Sequence, residues 1–371
     1  MINRERIISE FTELVEIDSP SFGERRIADV LKIKLKSIGF SVEEDGAGSY
    51  YGSDCGNLYG YLPGEIPGEP LLFSGHMDTV APALGKKAVL HSDGRITSEG
   101  NTVLGADDIA GLVSILEAIR SLREEGISHR SIEVLFPIAE EVYAKGSYLF
   151  DYSKIKAKEA YVLDLSGKVG RAAYTAPSIL SFKATIQGRA SHAGFSPEEG
   201  IHSIAIAAKA INQLKLGRVD SDTTVNVGTI VGGAATNIIP ESCKVEGEIR
   251  SFHHDKALSC LEEIKELFLR EAEQAGASLD WEESINCIAY ETKLDSKVAE
   301  RYREACSLAG LLPEFIKTFG GSDHNVFATK GIDGLVISNA MNCVHSCNEY
   351  TEIEELIKST QIVRNLMISQ E

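Results

Sequence analysis

The spacing of apolar residues changes several times along the chain, and it predicts helices that alternate with strands. Apolar residues recur at helical spacing over residues 7–15 and 27–38, and again from about 108 to 122. Compact apolar runs are typical of strands buried on both faces of a sheet, and they occur at residues 70–74, 132–139 and 160–165. The pattern predicts an α/β fold built on a mixed sheet with helices on both faces.

The order of predicted helices and strands differs in the middle of the chain. Residues 178–290 predict the order strand, helix, strand, strand, helix, strand, which is the split-βαβ (ferredoxin-like) arrangement of a small α+β domain. Alternating helix and strand patterns return after Tyr290. We therefore expect one domain from residues 1–177 and 291–371, with a second domain, residues 178–290, inserted into it.

Composition and charge narrow the classes of partner. The 371 residues include 37 basic and 55 acidic side chains, a net charge of −18. This balance argues against nucleic acid and anionic membrane, since both attract basic surfaces. The N-terminus lacks an apolar signal region and no apolar stretch could span a bilayer, so a cytoplasmic protein is expected. Seven scattered cysteines predict reduced thiols.

Five side chains of metal-ligand type stand at or just beyond the ends of apolar runs. They are His76, Asp107, Glu141, Asp164 and His345. The carboxyl ends of strands in open α/β sheets are where ligands bind, so these side chains are expected to meet. Two imidazoles and three carboxylates suit two divalent ions that share one carboxylate, an arrangement that polarises carbonyl groups and activates water. This predicts a hydrolase.

Two further carboxylates accompany this set. Asp78 is close enough to His76 to orient its imidazole, and Glu140, beside Glu141, could accept a proton from water. Each motif also has a structural interpretation: a turn at His76 and Asp78, a solvated strand end at Glu140, a helix cap at Asp107.

A zinc–thiolate site is a minor alternative at the end of the chain. Cys343 and Cys347 flank His345, but they form no CxxC pair, and we interpret both as small buried side chains. Motifs of competing chemistry, such as HExxH, GxSxG and the Walker A loop, are absent from the sequence.

The segments SGHMDTV, GADDIAG, AEE, VLDL and VHSCNEY, in this order, resemble the metal-site motifs of the M20 peptidase family. The resemblance covers nearly the whole chain, and GADDIAG is most similar to the peptidase T branch of tripeptide aminopeptidases. It implies one ion on His76 and Asp164, a second on Glu141 and His345, and Asp107 as the bridge. It also implies Glu140 as general base, Asp78 as support for His76 and a cis Asp107–Asp108 bond.

For the inserted domain, the resemblance implies a lid and a dimerisation surface. His192 matches a histidine that holds the substrate carbonyl, in some members from the partner subunit. Asn237 matches the Asn of GGxxxN, and Arg250 matches an arginine that meets a substrate carboxylate.

The activity expected from this resemblance is hydrolysis of the N-terminal bond of short peptides with two zinc ions, or cobalt or manganese in their place. The alternatives are another M20 activity (deacylation of N-acyl amino acids, or carboxypeptidase activity) and a non-catalytic metal- or peptide-binding protein. The lid segment GIHSI departs from the usual M20 pattern, which leaves the substrate open.

Overall fold

A computed structural model describes residues 1–370, in which the chain forms two compact units. The first comprises Met1–Tyr174, Glu291–Thr318 and the residues from Ser322 onward. The second comprises Thr175–Tyr290 together with Phe319–Gly321.

The α-helices of the described residues, numbered in chain order, are α1 Arg4–Val15, α2 Arg25–Ser37, α3 Ala47–Tyr51, α4 Ala106–Glu125, α5 Lys145–Leu149, α6 Ser203–Gln213, α7 His254–Gln274, α8 Lys297–Leu308, α9 Asp323–Thr329 and α10 Ile353–Met367. Those predicted at the N-terminus and within the inserted segment are confirmed.

The strands are β1 Ser41–Glu44, β2 Leu58–Leu62, β3 Ile66–Ser74, β4 Ala88–Leu90, β5 Arg95–Ser98, β6 Arg130–Phe136, β7 Glu159–Leu165, β8 Arg171–Ala176, β9 Ser178–Gln187, β10 Gly217–Arg218, β11 Thr223–Gly232, β12 Ser242–Ser251, β13 Ser278–Cys287, β14 Tyr290–Glu291, β15 Glu314–Lys317, β16 Asp333–Ser338, β17 Met341–Asn342 and β18 Tyr350–Glu352.

The first unit contains a mixed sheet in the order β1-β2-β6-β3-β7-β16-β8, with β14 and β15 beside β8. Its central strands β6, β3, β7 and β16 are parallel, and the flanking pairs are antiparallel. Parallel strands need faces covered by helices, and the core joins their apolar side chains to α1, α2, α4 and α10. A small sheet, β17-β18-β5-β4, belongs to the same unit. The predicted mixed α/β architecture is confirmed.

The second unit is an antiparallel sheet in the order β10-β11-β12-β9-β13. Its core packs α6 and α7 against the sheet, through residues such as Ile206, Phe268 and Leu180. Apart from the two-residue strand β10, the element order is the one predicted from the sequence.

Helix α4 positions two carboxylates, and a glycine within it allows the helix to approach the sheet. Asp107 and Asp108 have non-helical backbone angles, so the regular helix begins after them. At Gly111, an added Cβ would lie 2.4 Å from Asp108 Oδ1 and 2.8 Å from the carbonyl oxygen of Leu163, which belongs to β7. The absence of a side chain at this position lets α4 lie against β7.

Substituting Gly111 by alanine tests this packing. Alanine favours a helix over glycine by about 1 kcal/mol, yet overlap with the neighbouring strand costs about 1–3 kcal/mol in a packed interior. We expect Gly111→Ala to lower the melting temperature. The matched control is Gly46→Ala, whose added Cβ meets nothing within 4 Å. A Gly111→Ala protein that melts no lower than the control contradicts this account.

Candidate metal centre

The carboxyl ends of the parallel strands bring the predicted ligands to one edge of the sheet. His76 follows β3, and Glu140 and Glu141 follow β6. Asp164 is the second-to-last residue of β7. Asp107 comes from the start of α4, and His345 comes from the loop between β17 and β18. Parallel strands deliver their following residues to the same edge, which explains why ligands far apart in sequence converge.

Asp107 contacts both imidazoles. Its Oδ1 lies 3.0 Å from His76 Nε2, and its Oδ2 lies 3.3 Å from His345 Nε2. His345 Nε2 also lies 3.0 Å from Glu141 Oε2. The Asp107–Asp108 peptide bond is cis, as predicted. One carboxylate thus faces the two histidines with separate oxygens, which is the arrangement a bridging ligand requires.

Asp78 contributes mainly through hydrogen bonds to the backbone. His76 Nδ1 lies 2.9 Å from the carbonyl oxygen of Asp78 and 3.4 Å from its Oδ1. Donation from Nδ1 to that carbonyl fixes the ring orientation, so that Nε2 is the nitrogen that faces Asp107. The Asp78 carboxylate accepts the backbone N–H groups of Glu140 at 2.9 Å and Glu141 at 3.2 Å, and the Ser21 hydroxyl at 2.7 Å. Asp78 therefore orients the imidazole and also holds the two glutamates.

Among the described residues, three groups of side chains have ligand atoms close enough to share an ion, and one of them, Glu24, Asp54 and Cys55, contains no predicted ligand. The other two lie at this edge of the sheet. The atoms of His76, Asp107 and Glu141 lie within 4.8 Å of one another, and so do those of His76, Glu140 and Asp164. His76 belongs to both groups. The structure thus brings together all five predicted ligands and Glu140.

The site holds an excess of buried negative charge. Burial raises the pKa values of Glu140 and Asp164 well above their usual range, and neighbouring carboxylates raise them further. Burial likewise raises the pKa of Glu141. Hydrogen bonds to Asp107 and Glu141 raise the pKa of His345 to about 10. These shifts have one cause: acids held close together out of water, with two imidazoles as their cationic partners.

The residues present fit divalent cations. Glu141 Oε1 is buried and has no hydrogen-bond partner, although buried polar atoms normally have one. Its other oxygen contacts His345. A carboxylate oxygen left without a donor, among acids whose charges repel, is suited to metal ligation.

Sequence patterns did not single out two supporting residues. Glu349 accepts the backbone N–H groups of Gly105 at 2.7 Å and Asp107 at 2.9 Å, and burial raises its pKa to about 7. Asn339 follows β16 and donates to the Asp108 side chain and to the carbonyl of Leu163. Their positions at a loop and a strand end were visible, but their hydrogen bonds depend on the assembled fold.

Comparisons with known proteins show which family the chain resembles. Residues 174–276 match the peptidase dimerisation domain of the M20 family. The chain is 37% identical to the YqjE protein of Bacillus subtilis, over 98% of each chain. It superposes on an aminopeptidase PepT from Bacillus cereus (TM-score 0.92, 38% identity, 99% of this chain and 98% of that one). It also superposes on a tripeptidase from Staphylococcus aureus (TM-score 0.96, 32% identity, with the same coverage).

The chain belongs to the M20 peptidase family. Within this family it is peptidase T-like, as the sequence motifs predicted, and it is therefore an enzyme of the peptidase class. No helix among the described residues of this M20 peptidase is long and apolar enough to cross a membrane.

The three residues predicted to contact substrate lie in the second unit, which contains nearly all of the matched dimerisation domain. His192 is exposed, stacks on Phe195 with ring centroids 4.3 Å apart, and accepts the N–H groups of Gly194 and Phe195 at Nδ1. This leaves Nε2 to donate. Asn237 is also exposed, and its carbonyl accepts the N–H of Ala193.

Arg250 is engaged within its own unit. Its guanidinium binds Glu248 through Nε at 2.6 Å and Nη2 at 3.2 Å, and Nη1 donates to the carbonyl of Phe319 at 2.6 Å. Such a two-pronged contact with a carboxylate is the one a substrate carboxylate would make. A substrate carboxylate that used the same Nε–Nη2 edge would displace Glu248.

The interpretation of Cys343 and Cys347 as buried side chains was wrong, because both are exposed. They lie on the loop that carries His345, where Cys343 and His345 have φ angles of 52° and 59°. The loop directs His345 toward Asp107 and Glu141 and leaves both thiols at the surface. All seven cysteines are free thiols, as predicted.

Removal of divalent ions tests the electrostatic account. Ligands at a hundredfold excess over Kd stabilise a protein by about 2.7 kcal/mol, which for a chain of this size corresponds to roughly 3–5 °C in Tm. We expect chelation to lower Tm by this order and zinc to restore it. Asp107→Ala should abolish the zinc response. An equal response in both proteins would show that zinc acts elsewhere.

Proposed function

We propose that this M20 peptidase removes the N-terminal residue from short peptides, with tripeptides as the preferred class. The observation that carries the proposal is the paired arrangement around Asp107, in which both histidines contact one carboxylate and Glu140 stands beside His76 and Asp164. The similarity to an aminopeptidase and to a tripeptidase, each over 98% of its length, supports the choice of substrate.

The metal assignment is the one that the resemblance to the M20 family implies, and Asp107 contacts both histidines as it requires. We propose that His76 and Asp164 hold one divalent ion, Glu141 and His345 hold a second, and Asp107 binds both. Zinc is our first choice, and the same His and carboxylate donors also accept cobalt or manganese. Such ions supply Lewis-acid polarisation of a carbonyl and lower the pKa of water.

Glu140 is the proposed proton carrier. Its carboxylate accepts a proton from the water that attacks the peptide carbonyl, and it then delivers that proton to the leaving amine nitrogen as the C–N bond breaks. One carboxylate thus acts first as a base and then as an acid, and the same proton returns to the product.

The residues of the inserted unit are proposed to bind the substrate. His192 would donate to the carbonyl oxygen as negative charge develops there, with Asn237 beside it. Arg250 would bind the C-terminal carboxylate of the peptide, which would restrict peptide length. We propose that residues 178–290 act as a lid and as a dimerisation surface.

The strand pairing of the second unit supports the proposal that His192 and Arg250 of one chain serve different substrate molecules. Arg250 pairs with Ile179 at the start of β9, whereas the β9–β12 ladder continues past Gln187 toward His192. Eight strand residues separate positions 179 and 187, a distance of about 26 Å. An extended tripeptide spans only about 10 Å. If both residues serve one site, one of them comes from a second copy, which supports a homodimer.

A substrate panel tests the proposed activity. Free tripeptides, the same peptides with amidated C-termini, and N-acetyl amino acids would be incubated with metal-loaded protein, and the products identified by mass spectrometry. We expect release of the first residue from free tripeptides, and slower turnover of the amides because Arg250 loses its partner. Cleavage of acetyl amino acids alone would establish a deacylase. Loss of the C-terminal residue would establish a carboxypeptidase.

Substitution of Glu140 tests the proton carrier. General acid–base groups contribute about 10²–10⁴ in rate, so Glu140→Gln should lower kcat by that factor or more. Metal content, measured by elemental analysis, should stay equal to that of the unsubstituted protein, whereas Glu141→Gln should lose metal. Retained turnover in Glu140→Gln would contradict the role, and loss of an ion would make Glu140 a ligand.

A further inference from the structure

The turn that carries Glu140 and Glu141 is held by side chains instead of by regular secondary structure. Strand β6 ends at Phe136, and the four amides of residues 138–141 all donate to side-chain oxygens. Their acceptors are Asn57 Oδ1 at 3.1 Å, Glu24 Oε1 at 2.9 Å, Asp78 Oδ1 at 2.9 Å and Asp78 Oδ2 at 3.2 Å. The direction of both glutamates therefore depends on residues remote in sequence.

Ala139 is the residue at which this turn leaves the ordinary backbone conformation. Its φ angle is 53°, in the left-handed region that few residues other than glycine adopt. Such a conformation persists where its surroundings enforce it. The N–H of Ala139 donates to Glu24 and its carbonyl oxygen accepts the N–H of Lys145, so two hydrogen bonds enforce the conformation immediately before Glu140.

Glu24 connects this turn with a second left-handed position. Its Oε1 also accepts the N–H of Phe22 at 2.9 Å, and the φ angle of Phe22 is 71°. The neighbouring Ser21 hydroxyl donates to Asp78, which in turn holds the amides of Glu140 and Glu141. Oε1 of Glu24 thus binds two turns with left-handed residues, and both turns also donate hydrogen bonds to the Asp78 carboxylate.

Glu24 is buried beside Asp54 and Cys55, whose ligand atoms lie within 4.8 Å of its own, and its shortest hydrogen bonds are to two backbone amides. Its side chain is fully buried, and its second oxygen meets only a distant hydroxyl, Ser53 Oγ at 3.4 Å. Taking a carboxylate out of water is unfavourable unless hydrogen bonds compensate for it. The hydrogen bonds from the amides of Phe22 and Ala139 are that compensation. Ala139 directly precedes Glu140, and Phe22 directly follows Ser21, which donates to Asp78.

We infer that Glu24 is a positioning residue for the reaction: its carboxylate holds Ala139 in the left-handed conformation that directs Glu140 toward the reacting atoms. This inference rests on the proposed function of Glu140. The position of a proton carrier matters strongly, since a displacement of about 1 Å can cost on the order of 10²-fold in rate. The role requires reach and a hydrogen-bond acceptor, and it does not require the charge of Glu24.

Two substitutions separate reach from charge. Glu24→Asp keeps the charge but withdraws the oxygens by one methylene, so it should release the N–H of Ala139. Glu24→Gln keeps an acceptor at the same reach and removes the charge. We expect Glu24→Asp to lower kcat at least about tenfold with KM within about threefold, whereas Glu24→Gln keeps kcat within about threefold. Glu24→Ser is a second short-reach variant should Glu24→Asp fail to fold.

Glu133 supplies the matched control. It is also fully buried, and its carboxylate accepts the consecutive amides of Lys156 at 3.0 Å and Ala157 at 2.8 Å, away from the metal centre. Glu133→Asp should destabilise the protein to a similar degree and leave kcat within about threefold. A kcat in Glu24→Asp equal to that in Glu133→Asp, a loss carried by KM, or an equal loss in Glu24→Gln overturns the inference.

Two further readouts report on the backbone itself. Hydrogen exchange of the amides of residues 138–141 should accelerate in Glu24→Asp and stay slow in Glu24→Gln, whether or not a substrate is known. Glycine adopts positive φ readily, so adding Ala139→Gly to Glu24→Asp should recover kcat at least about threefold. Unchanged exchange or no recovery contradicts the role. An unsubstituted enzyme that cleaves no peptide refutes the proposed function but leaves the exchange result interpretable.

Discussion

Repulsion among buried carboxylates is the constraint around which this protein is built. Asp107 lies within 3.3 Å of both imidazoles, and Glu140, Glu141 and Asp164 crowd the same edge of the sheet. Burial raises the pKa values of these three carboxyl groups, and repulsion from neighbouring acids, which two histidines cannot balance, raises them further. This excess of negative charge in the folded state therefore favours the binding of cations.

A second layer of acids holds the first through the backbone. Glu349 accepts the amide of Asp107, Asp78 accepts those of Glu140 and Glu141, and Glu24 accepts that of Ala139. Each of these contacts uses a backbone dipole, so the side chains of the inner residues stay directed into the site. The cost is still more negative charge near the centre, which two divalent ions would offset.

The sequence predicted the long helices near the N-terminus, three of the central parallel strands, the element order of the inserted segment and the convergence of the inner residues, for identifiable reasons. Apolar runs marked the parallel strands, and the edge rule for such strands then placed His76, Asp164 and Glu140 together. It was insufficient for Glu24 and Asn339, because a buried hydrogen bond between distant segments has no local signature. It also failed at Cys343, where a left-handed loop leaves the thiol exposed.

The inserted unit has a different relation to function. Its match to the M20 dimerisation domain and its sheet topology are findings, whereas the roles of His192 and Arg250 depend on the proposed activity. Arg250 pairs with the start of β9, and His192 lies beyond its end. The distance between them fits the proposal that two copies of the chain complete each other's sites. The Arg250–Glu248 pair would then hold the guanidinium in one orientation until a substrate carboxylate takes the place of Glu248.

Anomalous diffraction from zinc-soaked crystals tests the central claim most directly, because it locates the ions independently of activity. The account predicts two peaks on either side of the Asp107 carboxylate, one beside His76 and Asp164 and the other beside Glu141 and His345. A single peak, or peaks that lie away from Asp107, would contradict it.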